Sequence, residues 1–293
     1  MRSVLPSADI STLADTMHRP VDTERPFFAY GIFRPGQLGF FQLKQLVSKI
    51  QASQVVGSLL LRDGLPIIDP KGAGHVNGAM LSFTTSKAAK EAYDRISALE
   101  PDKHYRWGED HISGVSVNVL FGRSPRKGSV PCEDDEWDGW EDPLFRSALD
   151  VVDETLQSQK QFEWDLRPLF RLQMAYLLLW SVIERYVSLR YHFGNKVMEK
   201  VNHLACESAF GLGLKRYVTE RRDVHRADRP DQKVVLDPES PEKALAYYYQ
   251  IRSNITHRGK DVGRDHERIL NSLCELLSIF RDVLRAAHAD AQP

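Results

Sequence analysis

The spacing of apolar positions changes character once along the chain. From Pro26 to about Gly122 they come in short runs broken by glycine and proline: FFAYGIF, VVGSLLL, LPIID, HVNGAMLSF and ISGVSVNVLF. Such runs read as strands closed by turns. One helix is expected among them over Ser86–Ala98, where Ser86 can cap and Ala89, Ala92, Tyr93 and Ile96 recur at helical spacing. A second is expected over Leu38–Gln51. This part is therefore α+β, with a small, mostly β core.

Beyond Asp142 the period becomes helical. Phe162–Arg190 carries Leu172, Ala175, Tyr176, Leu179, Val182, Ile183 and Tyr186 on one face, and His266–Ala287 carries Ile269, Leu270, Leu273, Leu277, Phe280 and Leu284. Between them the pattern predicts helices near Lys196–Phe210 and over Pro241–Thr256. The latter opens on Ser240 and on Pro241 at its first helical position, and ends before Gly259. A bundle of four or more helices follows.

The stretch 123–143, RSPRKGSVPCEDDEWDGWEDP, has no sustained period and marks a boundary. The division expected is a β domain over 26–122, an acidic linker or lid over 123–159, and a helical bundle over 160–287. Trp137 and Trp140 argue against a bare spacer, and packing against a neighbouring domain stands beside the lid reading.

With 293 residues, 42% of them hydrophobic, there is core material for two domains. The net charge of -1 hides opposed segments. Residues 131–154 hold ten acidic residues against Arg146, while from residue 155 onward 22 Lys and Arg face 18 Asp and Glu. That cationic excess tolerates a polyanionic substrate without demanding one. The arginine-rich run Arg221–Lys233 reads as a solvated loop, or as a phosphate-contacting arm if the bundle binds RNA. Cys132, Cys206 and Cys274 are odd in number and far apart, which fits a reducing, cytoplasmic setting. The longest apolar run, Met174–Ile183, is too short to span a bilayer, so no membrane association is expected. No His or Cys spacing suits zinc, and no metal or other cofactor is expected.

"FFAYGIFRPG" (Phe27–Gly36), Val56-Gly57-Ser58-Leu59 with Leu65-Pro66, Val76-Asn77-Gly78, and "AYDRISALEPDKHYRW" resemble, in order, the motifs of the gamma-glutamylcyclotransferase-like family. The resemblance covers about 26–122 and implies a small β-barrel. It places Tyr30, Gly31, Ile32, Phe33, Arg34 and Gly36 in the substrate loop, Glu100 as the catalytic carboxylate, and Tyr105 beside it. The family's reaction closes a gamma-glutamyl amine on its own side-chain carbonyl, which needs a carboxylate to shuttle a proton and backbone N–H groups to hold the charged end. Arg34 suits a carboxylate partner. Ile32 and Phe33 stand where the family prefers Ser or Thr and Leu, and Pro101 where it prefers Gly. A barrel that binds a small gamma-glutamyl-like ligand without turning it over therefore stays open, as does Glu100 as a surface carboxylate at a helix end.

"YYYQIRSNITHRGK" (247–260) contains Arg252-Ser253-Asn254-Ile255-Thr256-His257. On an unbroken helix Arg252 and His257 stand about 140° apart, and only a helix ending near His257 lets the last turn bring them together. The segment resembles the R-x-x-x-x-H motif of HEPN domains, especially the subgroup related to ApeA, over roughly 160–287. "LLLWSVIERY" is similar to that family's first long helix, with Glu184 facing inward. The resemblance implies a metal-independent ribonuclease: Arg252 and His257 catalytic, Asn254 orienting the histidine or a phosphate, Arg258 and Lys260 binding RNA, and two protomers combining their motifs in a homodimer. Ser253 stands where many active members carry Asn, Asp or His.

The expectation is thus a cyclotransferase-like sensing domain joined to a HEPN ribonuclease, as in toxins and antiviral defence. The alternatives are a gamma-glutamylcyclotransferase with a dimerising bundle, and a non-catalytic interaction protein.

Overall fold

The computed structural model describes residues 17–139, 142, 145–158, 166–192, 196–257 and 262–292, with the backbone alone at 257 and 262–265. It is a mixed α/β structure, with a curled sheet and a helical C-terminal region. Two compact units divide it. One holds the described residues up to Ala29 with Leu46–Arg62 and Pro66–Glu136; the other holds Tyr30–Gln45, Asp63–Leu65 and the described residues from Trp137 onward.

In the sheet unit, β1 (Phe27–Ala29), β2 (Val47–Val56), β3 (Ser58–Arg62), β4 (Leu65–Asp69), β5 (His75–Phe83), β6 (Tyr105–Ile112), β7 (Val115–Gly122) and β8 (Val130–Pro131) form one sheet. β7 is its hub. Along one edge it takes β6 antiparallel, from Tyr105↔Gly122 to Ile112↔Val115. Its other edge is shared by two parallel strands, β1 at Phe27↔Asn118 and β4 at Ile68↔Phe121. β1 and β4 follow one another along that edge, so the sheet divides there as it twists and curls.

The helix α1 (Ser86–Leu99) is capped by Thr85, whose hydroxyl accepts from the Ala88 N–H, while Ser86 binds Glu24 instead. It buries Ala88, Ala89, Ala92, Tyr93 and Ile96. The Tyr93 ring meets Phe27, Phe83 and Trp107 edge to face. Its hydroxyl donates to the Arg25 carbonyl and accepts from Asn118, a buried amide that also donates to the Asp22 carbonyl. Gly78 is required by close approach, since a Cβ there would lie 2.4 Å from the Ala29 carbonyl oxygen.

The helix expected over Leu38–Gln51 is instead a 3-10 turn, Leu38–Gln42, followed by β2. Val47, Ile50, Val55 and Val56 are β-branched, and pairing with β5 from Val47↔Phe83 to Val56↔His75 outweighs the weak helical period.

The helical unit contains α2 (Ser147–Gln157), α3 (Leu166–Arg190), α4 (Val197–His203), α5 (Ser208–Tyr217), α6 (Pro241–His257) and α7 (Val262–Asp290). The polar run expected to be a loop forms a hairpin, β9 (Arg222–His225) with β10 (Lys233–Leu236). Its Val224 and Leu236 are buried. Trp137 is buried too, with its indole N–H donating to the Gly64 carbonyl at 3.1 Å; Trp140 lies outside the described residues.

One largely buried ion pair ties this unit together. The Arg190 guanidinium lies 4.0 Å over the Phe41 ring and 3.4 Å from Glu207. Glu207 accepts the Tyr186 hydroxyl at 2.9 and 2.8 Å, and the Tyr191 hydroxyl as well. Burial, and then the Glu207 charge, raise both tyrosines well above their ordinary pKa, which keeps them as donors. Removing one member of such a cluster strands a buried charge, at about 3 kcal/mol. Glu207→Ala should therefore lower the unfolding free energy of the helical unit in urea by about that much. The exposed Asp290, 3.8 Å from Arg190, should give less than about 0.5 kcal/mol on Asp290→Asn; equal losses would contradict the assignment.

Candidate functional site

Tyr30, Gly31, Ile32, Phe33, Arg34 and Gly36 all belong to the helical unit. Tyr30, Ile32 and Phe33 are buried, and the loop is a succession of tight turns, with Arg34 N–H on the Gly31 carbonyl and Gln37 N–H on that of Arg34. Gly36, at φ +89°, is in the left-handed region that favours glycine. Its N–H donates to the Ala291 carbonyl at 2.8 Å. Arg34 donates through Nη2 to the Trp137 carbonyl at 3.1 Å. The Gly36 N–H and Arg34, two of the groups expected to hold a substrate's charged end, are thus engaged within the protein. Ile32 also lines a narrow cleft with Gln37, Trp137, Asp142 and His288, which has room for about one water molecule.

Glu100 and Tyr105 belong to the sheet unit. Glu100 closes α1, its N–H donating to the Ile96 carbonyl. The Tyr105 hydroxyl is buried and donates to the Pro66 carbonyl at 3.0 Å.

The second set of residues lies along the last turns of α6, where Arg252 and Asn254 stand about 200° apart on opposite faces. Arg252 is partly buried by α3, where its Nη2 lies 3.5 Å from Glu184, and its guanidinium sits 5.6 Å from the Tyr249 ring centroid. Tyr249 in turn meets Trp180 edge to face. Both partners of the Arg252–Glu184 pair keep about a third of their side-chain surface exposed, so the arginine is held but not consumed. Its Nε is buried without a hydrogen-bond partner among the described residues. A donor in that state is costly unless something binds it.

The last turn of α6 is tightened by Thr256, whose hydroxyl donates to the Ser253 carbonyl at 2.8 Å, and His257 is its final helical residue. The His257 side chain, Arg258 and Lys260 lie outside the described residues. Asn254 is fully described. Its Oδ1 accepts from Gln250 and from the Ala227 N–H, and its Nδ2 donates to the His225 carbonyl. The amide is committed to the β9–β10 hairpin.

Glu184 shares a face of α3 with exposed apolar side chains. At about 100° per residue, Leu166, Phe170, Met174 and Glu184 fall within an arc of about 80°. Phe170 is 53% exposed and Met174 70%. Sequence reading marked Glu184 as inward-facing but attached no meaning to this stripe, because the stronger opposite face of α3 dominates the helical period.

No group of three or more His, Cys, Asp or Glu side chains among the described residues is placed to hold a metal ion. No helix among them is long and apolar enough to cross a membrane. No family model, curated protein or solved structure matches the chain.

Burial lowers the pKa of His266 and of His288 below the ordinary value of 6.5; for His288 its hydrogen bond to the Gly36 backbone and the nearby Asp138 oppose this. As pH falls through 6.5 the unfolded chain takes up protons that these imidazoles refuse, so folding stability is lost. His288→Gln should flatten the fall in melting temperature between about pH 7 and pH 5. A slope as steep as that of the wild type would contradict a neutral buried His288.

Proposed function

We propose that the helical unit is a metal-independent endoribonuclease whose site lies at the end of α6. The observation that carries this reading is Arg252, held by Glu184 and Tyr249 with about a third of its side-chain surface still exposed to a ligand. Transesterification of RNA needs that cation. The ribose 2'-oxygen attacks the adjacent phosphorus, the bond to the 5'-oxygen breaks, and the phosphorane between them carries extra negative charge. A proton leaves the 2'-hydroxyl and one must reach the 5'-oxygen, which is the work of an imidazole titrating near neutrality. His257, five residues along the same helix, is that group in this reading. Glu184 holds the guanidinium in one orientation and acts through it.

One imidazole per chain serves one proton at a time, so a second copy of the chain completes the site. The α3 stripe supports that arrangement: Phe170 and Met174 are exposed apolar groups on the face that presents Glu184. The partners in this reading are RNA and a second copy of the chain.

RNA cleavage assayed in EDTA tests the proposal. The wild type should cleave, and Arg252→Ala and His257→Ala should each lose about 10²–10⁴-fold. Phe170→Glu should reduce the dimer to a monomer in light scattering, and cleavage with it. Equal rates for the wild type and His257→Ala would remove the ribonuclease reading.

A further inference from the structure

β2 ends the sheet, paired by β5 alone among the described residues. β6 comes near it across the curl but shares no ladder with it. One hydrogen bond fixes which main-chain groups of β2 are left over. In an antiparallel ladder the N–H and C=O of a residue point to the same side, and the side alternates along the strand. The Asn77 N–H donates to the Asp135 carbonyl at 2.8 Å, so Asn77 turns away from β2, and Gln54 opposite it turns away from β5. Along the unbroken register from Lys49↔Ser82 to Val56↔His75, Ile50, Ala52 and Val56 turn the same way as Gln54. These four residues each present a donor and an acceptor to the outer edge.

An edge of this kind is a template for another strand, and proteins blunt it with charge, proline or a bulge. β2 has two such devices, both at its start: the register shift between Val47 and Lys49, and Lys49 itself. From Ile50 to Val56 the run IQASQVV holds no charge, proline or glycine. Its outward side chains are open to solvent, Ile50 at 37% and Val56 at 57%, with Ala52 and Gln54 exposed between them.

These positions match themselves. Ile50 and Val56 lie equally far from Ser53 on either side, so a two-fold axis at Ser53 sets Ile50 of one copy against Val56 of the other, and Ala52 against Gln54. The residues so opposed are the four that face the edge, and each pair can exchange both of its backbone hydrogen bonds. Lys49 falls opposite Gly57, so no like charges meet.

We propose that residues 50–56 of β2 are a self-association edge, on which a second copy of the chain adds its own β2 antiparallel about Ser53. This surface is separate from the α3 face and does not rest on the ribonuclease reading. One strand pair is smaller than the roughly 1,200 Å² of a stable interface, so the contact forms only at chain concentrations on the order of 100 µM. Where the α3 contact also forms, each chain carries two two-fold contacts, and copies can add in an open series.

Sedimentation velocity of the full chain carrying Phe170→Glu, from about 5 to about 300 µM, isolates the β2 contact. Monomer should give way to dimer as the concentration rises. Gln54→Pro should keep it monomeric, because the Gln54 N–H serves the edge and not the β5 ladder. Ile50→Lys should weaken association about tenfold, and adding Val56→Glu should recover most of that loss, since positions 50 and 56 face each other across the axis. Should Gln54→Pro fail to fold, the charge pair carries the test. No association at any concentration, a Gln54→Pro variant that dimerises like its parent, or a charge pair that recovers nothing would each overturn the proposal. A wild type that associates just as Phe170→Glu does, through an edge that answers to these variants, would remove the α3 contact and leave the β2 edge standing.

Discussion

Arg190 is a full charge placed where water scarcely reaches, and much of the helical unit is arranged to answer it. Phe41 covers its plane, Glu207 neutralises it, and Tyr186 and Tyr191 satisfy the carboxylate in turn. These groups come from the 30–45 segment, the end of α3, and the turn before α5, so the cluster fixes three pieces of chain at once. A buried pair of this kind adds little net stability over a hydrophobic substitute, and its value is that few alternative packings satisfy it. The register of α3 set here is the register in which Glu184, less than two turns away, meets Arg252.

The same segment has a second tie. Gln42 donates to the carbonyls of Ser188 and Leu189, and Lys44 to those of Asp290 and Gln292. Carbonyls at helix C-termini lack partners within the helix, and here side chains from 30–45 supply them. From the stretch that resembles a cyclotransferase substrate loop, the Gly36 N–H joins them on the Ala291 carbonyl just past α7.

Regular period made much of the fold legible. α1, α3, α6 and α7 bury one face each, and β1, β3, β4, β5 and β7 lie on the apolar runs that marked them, whereas β6 had no such run. Elements whose signals compete were not legible. Leu38–Gln51 carries a faint helical spacing and a β-branched content, and only pairing with β5 decides between them. The hairpin Arg222–Leu236 has two buried apolar side chains among many charges, too few to show a period. At the site, Arg252 and Glu184 were readable as residues, yet their pairing depends on the α3–α6 crossing. Asn254 was read as orienting the histidine or a phosphate; its hydrogen bonds to Gln250 and to backbone groups of the distant residues 225 and 227 are not revealed by a local motif.

In the proposed ribonuclease, a cation held by Glu184 and a histidine on the same helical end would act on a phosphodiester, with the chemistry left to proton transfer and charge stabilisation. The chemical form of the cleaved RNA ends tests this most directly. Mass spectrometry of products made in EDTA should find 2',3'-cyclic phosphate on one fragment and 5'-hydroxyl on the other, since the 2'-oxygen is the nucleophile and the 5'-oxygen the leaving group. Products bearing 5'-phosphate, or intact RNA, would contradict the account.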